Sequence, residues 1–284
     1  MLRSAEDLES YAVSATDGVV GDVKDLYFDD EAWVVRYFVV DTGGWLSNRK
    51  VLISPFAVGK PSGPDRVLPV SLTRDKVKNS PDIDTDKPVS RQHERDYLEY
   101  YGYPLYWGAL GFWGGGIYPG SMPLGRDGDG DGDGDGDGAR SLATGPSDAT
   151  DALAETQAET HADSHLRSCQ TVRGYHVHAS DGDIGHVQGM LVDDETWVIR
   201  YLVVNTSNWW LGHRVLVASQ WIDSVRWLDA KVSVDVTRQA VKDSPLFIHT
   251  APLDRQQETA LYEHHGRRSY WAGDLKRETE ISRI

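Results

Sequence analysis

The chain repeats itself. Residues 2–107 align with residues 166–271 at a constant offset of 164, without a gap, and 39 of the 106 paired positions are identical. Asp17-Gly18-x-x-Gly21-x-Val23 returns as Asp181-Gly182-x-x-Gly185-x-Val187. Asp29-Asp30-Glu31-x-Trp33-Val34-x-Arg36-Tyr37 returns as Asp193-Asp194-Glu195-x-Trp197-Val198-x-Arg200-Tyr201. Thr73-Arg74 and Ser80-Pro81 return as Thr237-Arg238 and Ser244-Pro245. Two copies of one domain follow, and with them an internal control. A residue kept in both halves serves what they share; a residue present in one half is not required by both.

The length of 284 residues suits two domains at about 150 residues each, and a copy of this size buries a modest core without staples. The domain reading is 1–107, then a linker over 108–164, then 165–284. Cys169 is the single cysteine and faces Ala5 across the repeat, so no intramolecular disulfide forms. Met1 to Ser10 contains Arg3, Glu6, Asp7 and Glu9, unlike a signal peptide. No apolar run reaches the ~18 residues of a spanning helix. The expected location is the reducing cytoplasm, without a membrane span. The net charge is −15, and residues 127–163, with eleven acids and one Arg, carry −10 of it. A chain without basic excess is a poor ligand for nucleic acid or for an anionic lipid surface.

Within the first copy, Tyr11–Thr16, Val20–Phe28, Trp33–Val40, Arg49–Ser54 and Val67–Leu72 read as strands, rich in β-branched and aromatic residues and separated by turn residues. Both faces of Trp33–Val40 are mostly apolar, which predicts a central strand covered on both sides. Thr73 caps a short helix that ends at Ser80-Pro81, and Arg91–Tyr101 is a second helix closed by Gly102. The second copy reads alike through Arg255–His265. Short strands with tight turns and no βαβ alternation predict a mainly β fold of two tandem, closed, antiparallel barrels, each followed by short helices.

Between the copies, Tyr103 to Gly125 is an uncharged stretch with seven Gly and three Pro, too interrupted for a membrane helix. Its aromatic residues read as a loose tether or an interaction arm. The Asp-Gly run from Asp127 imitates the start of a calcium loop, but the position needing a bidentate Glu holds Gly138. A disordered, self-repelling linker is the reading. Roughly 57 residues of flexible coil span about 40 Å, so the two barrels can pack on each other or join in oligomers.

The sequence contains no nucleophile elbow, phosphate loop, HExxH or CxxC, and the chain reads as a non-enzyme without a cofactor. His176, His178 and His186 are the weak metal candidates; their equivalents Ala12, Ser14 and Asp22 make any such site private to one half. The acidic trios at 29–31 and 193–195 read as solvated hairpin turns. Arg36 and Arg200, in the middle of an apolar strand, need a partner; an acid nearby is the structural reading, a ligand the functional one. The loops at Trp45 and at Trp209-Trp210 are the first place to look for a binding face.

The run Gly-x-x-Gly-x-Val through Asp-Asp-x-x-Trp-x-x-Arg-Tyr-x-Val-Val, then Val-Leu-Ile-Ser and Ser-Leu-Thr-Arg-x-x-Val-x-x-Ser-Pro, resembles the PRC-barrel family. That family resembles the cytoplasmic domain of the photosynthetic reaction centre H subunit and the carboxy-terminal domain of RimM-type ribosome maturation factors. The resemblance covers about residues 10–82 and 174–246. It implies a small β-barrel that docks on other proteins and brings no catalytic residue set. The H subunit's membrane helix and the amino-terminal barrel of the RimM type have no counterpart, so photosynthetic or ribosomal duty does not transfer. A protein-docking scaffold is the expected function; a metal- or cofactor-dependent protein built on the three histidines and a ribosome- or RNA-associated adaptor are the rivals.

Overall fold

A computed structural model describes residues 1–81, 89–105, 165–206, 213–248 and 253–273. They fall into two compact units. Met1–Lys78 and His165–Ile284 form one, which therefore contains strands of both repeats; Asn79–Ser164 forms the other. The Asp-Gly run, the aromatic stretch beyond Leu105 and Trp209-Trp210 lie outside the described residues.

In the first copy the order is β1 (Leu2–Ser4), α1 (Ala5–Leu8), β2 (Ala12–Ala15), β3 (Gly18–Asp29), β4 (Val34–Asp41), β5 (Lys50–Ile53), β6 (Val67–Pro69) and α2 (Arg74–Lys78). The second copy runs β7 (Leu166–Ser168), α4 (Cys169–Val172), β8 (His176–Ala179), β9 (Gly182–Asp193), β10 (Ile199–Asn205), β11 (Arg214–Ala218), β12 (Ile222–Arg226), β13 (Lys231–Val234), α5 (Arg238–Lys242) and α6 (Arg255–His264). Strand β4 is buried from Val34 to Val40 on both faces, as its two apolar faces require. The core of each copy is Val, Leu, Ile and aromatic side chains, with Phe28, Tyr37, Phe38 and Tyr201 among the largest fully enclosed.

The class is β, but the sheets are open, and this corrects the expectation of closed antiparallel barrels. The strand orders are β5-β4-β3-β2-β6 and β11-β10-β9-β8-β13-β12. In the second copy the end strands β11 and β12 follow one another along the chain, and the 3-10 turn Ser219–Trp221 carries the backbone between them. A turn of that kind spends its hydrogen bonds locally and makes a corner instead of a ladder. The pairs β2–β6 and β8–β13 are parallel, because the meander between them returns the chain in its starting direction. In the first copy the counterpart of β12 shrinks to bridges at Val58 and Ser62. Pro61 interrupts it, and proline cannot donate to a ladder.

Each sheet borrows a strand from the other copy. Strand β1 lies antiparallel on β9, with Leu2 opposite Asp193 and Ser4 opposite Leu191. Strand β7 lies on β3, with Leu166 opposite Asp29 and Ser168 opposite Tyr27. These registers are the same under the 164-residue offset, so the copies are related by a pseudo-twofold axis. Val34 and Val198, equivalent residues, bridge each other on that axis. Around them Val35 N donates to Trp197 O at 2.9 Å and Ile199 N to Trp33 O at 2.7 Å.

The unit from Asn79 to Ser164 contains α3 (Arg91–Tyr101), which begins with Ser90 accepting from His93 N and ends at Gly102 in the left-handed region. The helix boundaries and the Gly102 cap coincide with those read from the sequence; the Ser90 cap is added by the structure.

Candidate functional site

The hairpin tips are built by their first aspartate. Asp29 Oδ1 accepts from Glu31 N at 3.0 Å and Ala32 N at 2.9 Å. Asp29 Oδ2 lies 3.3 Å from Arg36 Nη2, and Asp193 Oδ2 lies 3.3 Å from Arg200 Nη2. Each arginine thus meets an acid of its own hairpin. The acidic trios are only partly the solvated turns that the sequence suggested: Glu31 and Glu195 are exposed, but Asp29 is 6% exposed and Asp194 8%. The second aspartates are held by the exchanged strands. Arg3 Nε donates to Asp194 Oδ2 at 2.6 Å and Arg167 Nε to Asp30 Oδ2 at 2.8 Å. A carboxylate excluded from water needs such a partner. The missed signal was the Leu-Arg-Ser repeated at 2–4 and 166–168; it is too short to read as a strand without the sheet that receives it.

A cleft of about 380 Å³ opens where the tip of the first copy meets the second copy. Glu31, Ala32 and Trp33 form one wall; Arg200, Gln220, Tyr262 and Tyr270 stand among the residues opposite. Arg200 was a sequence candidate, and its side chain is 16% exposed against 3% for Arg36. The equivalents of Ser219 and Gln220 in the first copy are Pro55 and Phe56, both buried. The polar side chains of Ser219 and Gln220 are therefore not repeated in the first copy.

Helix α6 supplies the floor. Asp254 and Gln257 form a capping box that fixes its start. One turn on, Glu258 is 3% exposed. Its Oε1 accepts from Tyr201 Oη at 2.7 Å and Tyr270 Oη at 3.0 Å, and Arg255 stands 3.0 Å from Oε2. The Arg200 guanidinium lies 4.1 Å over the Tyr270 ring, a cation–π contact. Gln220 Nε2 donates to Tyr262 Oη at 2.9 Å. Burial pushes the phenols of Tyr262 and Tyr270 up to about 12, and Tyr201 higher still. These hydroxyls are hydrogen-bonding groups at neutral pH and not bases.

The other sequence candidates disperse. Trp45 is half-buried; its Nε1 donates to Val20 O at 2.5 Å, and Arg74 covers its ring at 4.4 Å. It is a packed side chain, not a free anchor. His176 is exposed opposite His186, while His178 Nδ1 meets Asp183 Oδ1 at 2.7 Å. That contact, with the hydrogen bond as its main cause, holds the Asp183 carboxyl below its usual value. Among the described residues no three His, Cys, Asp or Glu side chains converge on one point. Cys169 is buried, and burial pushes its thiol well up, the condition of an inert cysteine. Among the described residues no helix is long and apolar enough to cross a membrane.

Residues 2–77 match the family model of the PRC-barrel domain, so the resemblance read from the sequence is shown for the first copy. An uncharacterized protein of Deinococcus radiodurans is 36% identical over 73 residues, which make up 26% of this chain and 26% of that relative. The match thus spans about a quarter of the relative's length. The family match supports a non-catalytic domain module.

Proposed function

We propose that the chain is a non-catalytic docking scaffold of the cytoplasm and that the cleft between hairpin tip and second copy receives a protein partner. The observation that carries this reading is the cleft's wall. Trp33, Tyr262, Tyr270 and Arg200 are the side-chain types that concentrate binding energy in interfaces. The groups that could have served acid–base chemistry are tied to one another instead, as Glu258 is to Tyr201 and Tyr270. A rigid, amphipathic, pre-organised wall loses little entropy when a partner arrives.

The test is photo-crosslinking in the native cell with the full chain. A benzophenone side chain at Ala32 is expected to give discrete protein adducts that a Tyr270→Ala change removes. The same probe at Leu228, fully exposed and remote in role, provides the background. Adducts at Ala32 indistinguishable from those at Leu228 would end the proposal.

A further inference from the structure

The contacts between the copies divide into those that repeat under exchange of the copies and those that do not. Arg3–Asp194 and Arg167–Asp30 repeat. So do the Val35–Trp197 and Ile199–Trp33 backbone bonds. Contacts of this kind fit any pairing equally: first with second, first with first, or second with second.

Glu9 and Arg173 break the symmetry. They are equivalent positions, 164 apart, and they face each other: Arg173 Nη2 lies 2.5 Å from Glu9 Oε1 and 2.7 Å from Oε2. A position that meets its own equivalent lies on the pseudo-twofold axis. Two first copies would there oppose Glu9 to Glu9, and two second copies Arg173 to Arg173. The neighbours reinforce the choice. Arg173 Nη1 also reaches Glu6 Oε1 at 3.2 Å. Buried Asp25 accepts from Ser168 Oγ at 2.5 Å and from Gln170 N at 3.2 Å. The equivalent of Gln170 is Glu6, and the equivalent of Asp25 is Gly189. A pair of first copies would therefore bring Glu6 beside Asp25 on both sides of the axis, with no arginine to answer either. Like charges juxtaposed in a partly buried interface are strongly unfavourable, and such repulsion is how an interface rejects wrong partners.

We propose that the exchanged-strand interface is a heterotypic recognition surface: Glu6, Glu9 and Asp25 of the first copy select a partner that carries Arg and Gln where Arg173 and Gln170 stand, and reject another first copy. The differences at 6/170, 9/173 and 25/189 make the two copies complementary to each other on one chain. The same surface admits the matching copy of another chain, and the partner it fits is this chain's own second copy.

Charge reversal in the full chain tests this. Glu9→Arg alone and Arg173→Glu alone each leave like charges facing within the chain; each is expected to raise the unfolding equilibrium constant about ten-fold or more in urea. The double variant restores opposite charges at positions 9 and 173, while the carboxylate introduced at 173 still faces Glu6; it is expected to recover at least about half of the loss in free energy of either single, which also shows that the substituted side chains are compatible with folding. A tagged Glu9→Arg chain unfolded and refolded with untagged Arg173→Glu chain meets matched charges only between chains, in both directions. Capture of that chain is expected to exceed capture of untagged Glu9→Arg chain by about ten-fold. Singles as stable as the wild type, a double no better than the singles, or equal capture of the two untagged chains would each overturn the proposal.

Discussion

A graded glycine series in the first copy separates two physical costs that the fold imposes. At Gly21 an added Cβ would sit 1.9 Å from the carbonyl oxygen of Asp41 and 2.7 Å from its carbon; at Gly185 it would sit 2.0 Å from the oxygen of Asn205. Both glycines lie where the long strand passes the end of its hairpin partner, beside a register shift. The obstacle is backbone, so no side chain can rotate away. Relief needs a separation of more than about 1 Å, which strips the neighbouring pairs Asp22–Asp41 and Val23–Val40. Two net hydrogen bonds at about 1 kcal/mol each and overpacking strain of about 1–3 kcal/mol make Gly21→Ala cost about 4 kcal/mol. Gly43 has φ +60° and open space around its Cβ position, so Gly43→Ala isolates the left-handed backbone at about 1 kcal/mol. Gly44 is also open and has no such φ; Gly44→Ala should stay within about 0.5 kcal/mol of the wild type. Urea titrations followed by tryptophan fluorescence measure the series. With a slope of about 2 kcal/mol per molar, Gly21→Ala lowers the midpoint by about 2 M. A Gly21→Ala protein within 1 kcal/mol of the wild type, as an order-of-magnitude threshold, or less damaged than Gly43→Ala, would refute the close-approach argument.

Three further outcomes follow from the buried polar groups. Burial beside Trp221 lowers the His265 pKa to about 4. The folded state therefore binds fewer protons than the unfolded state, whose value is about 6.5. Its stabilising contribution is complete above that value and disappears as pH falls towards 4, by roughly 1–2 kcal/mol after allowance for partial exposure; NMR titration of the His265 ring checks it. Asp25 behaves oppositely: burial, the largest cause, raises its pKa, so its contribution is greatest in acid and declines as pH rises from the ordinary carboxylate value through the raised one. The difference between wild-type and Asp25→Asn unfolding curves against pH should carry that slope. Arg167→Met takes the cation from Asp30, whose side chain is 9% exposed, and uncovers Trp227, over which Arg167 lies at 4.5 Å. A loss of about 2 kcal/mol is expected, seen as faster amide exchange in Leu166–Ser168.

Most strands, the capped helices and the repeat were legible because each is local: runs of β-branched residues, Thr73 before a helix, Gly102 after one; β12 (Ile222–Arg226), with Asp223, Ser224 and Arg226 in its five residues, was not read as a strand. The strand exchange was not, because three residues have no period to read, and a strand on another copy's sheet is a long-range event. The same gap hid the role of the aspartates. Asp30 and Asp194 look like solvated turn residues until Arg167 and Arg3 arrive from the other copy. Arg200 was recognisable as an arginine that needed company in an apolar strand. Tyr262 and Tyr270 gave no such sign; helix α6 and the turn after it bring them to Arg200 from more than sixty positions away along the chain.

The tips themselves tie the cleft to the pairing of the copies. Trp33 and Trp197 have φ of 55° and 59°, left-handed values that a bulky side chain adopts at a cost of about 1–3 kcal/mol. Contacts within the hairpin, such as Trp33 N donating to Asp29 O, offset part of that cost, and the opposite copy offsets more: the carbonyl oxygens of Trp33 and Trp197 accept from Ile199 and Val35, and the Trp197 ring packs edge-on against Phe38 at 4.9 Å. An unpaired copy keeps its own hairpin bonds but loses the cross-copy ones, so its tip would be less firmly held, and Glu31, Ala32 and Trp33 would no longer stand opposite Arg200 and Tyr270. Occupancy of the cleft and pairing of the copies are then thermodynamically linked. A partner that binds only the assembled wall stabilises the pairing by RT ln(1 + [L]/Kd), and by reciprocity any change that weakens the pairing weakens the partner by the same factor. Glu9→Arg, which touches no cleft residue, should therefore lower the affinity of a partner that binds at Trp33, whereas an unlinked cleft would leave that affinity unchanged.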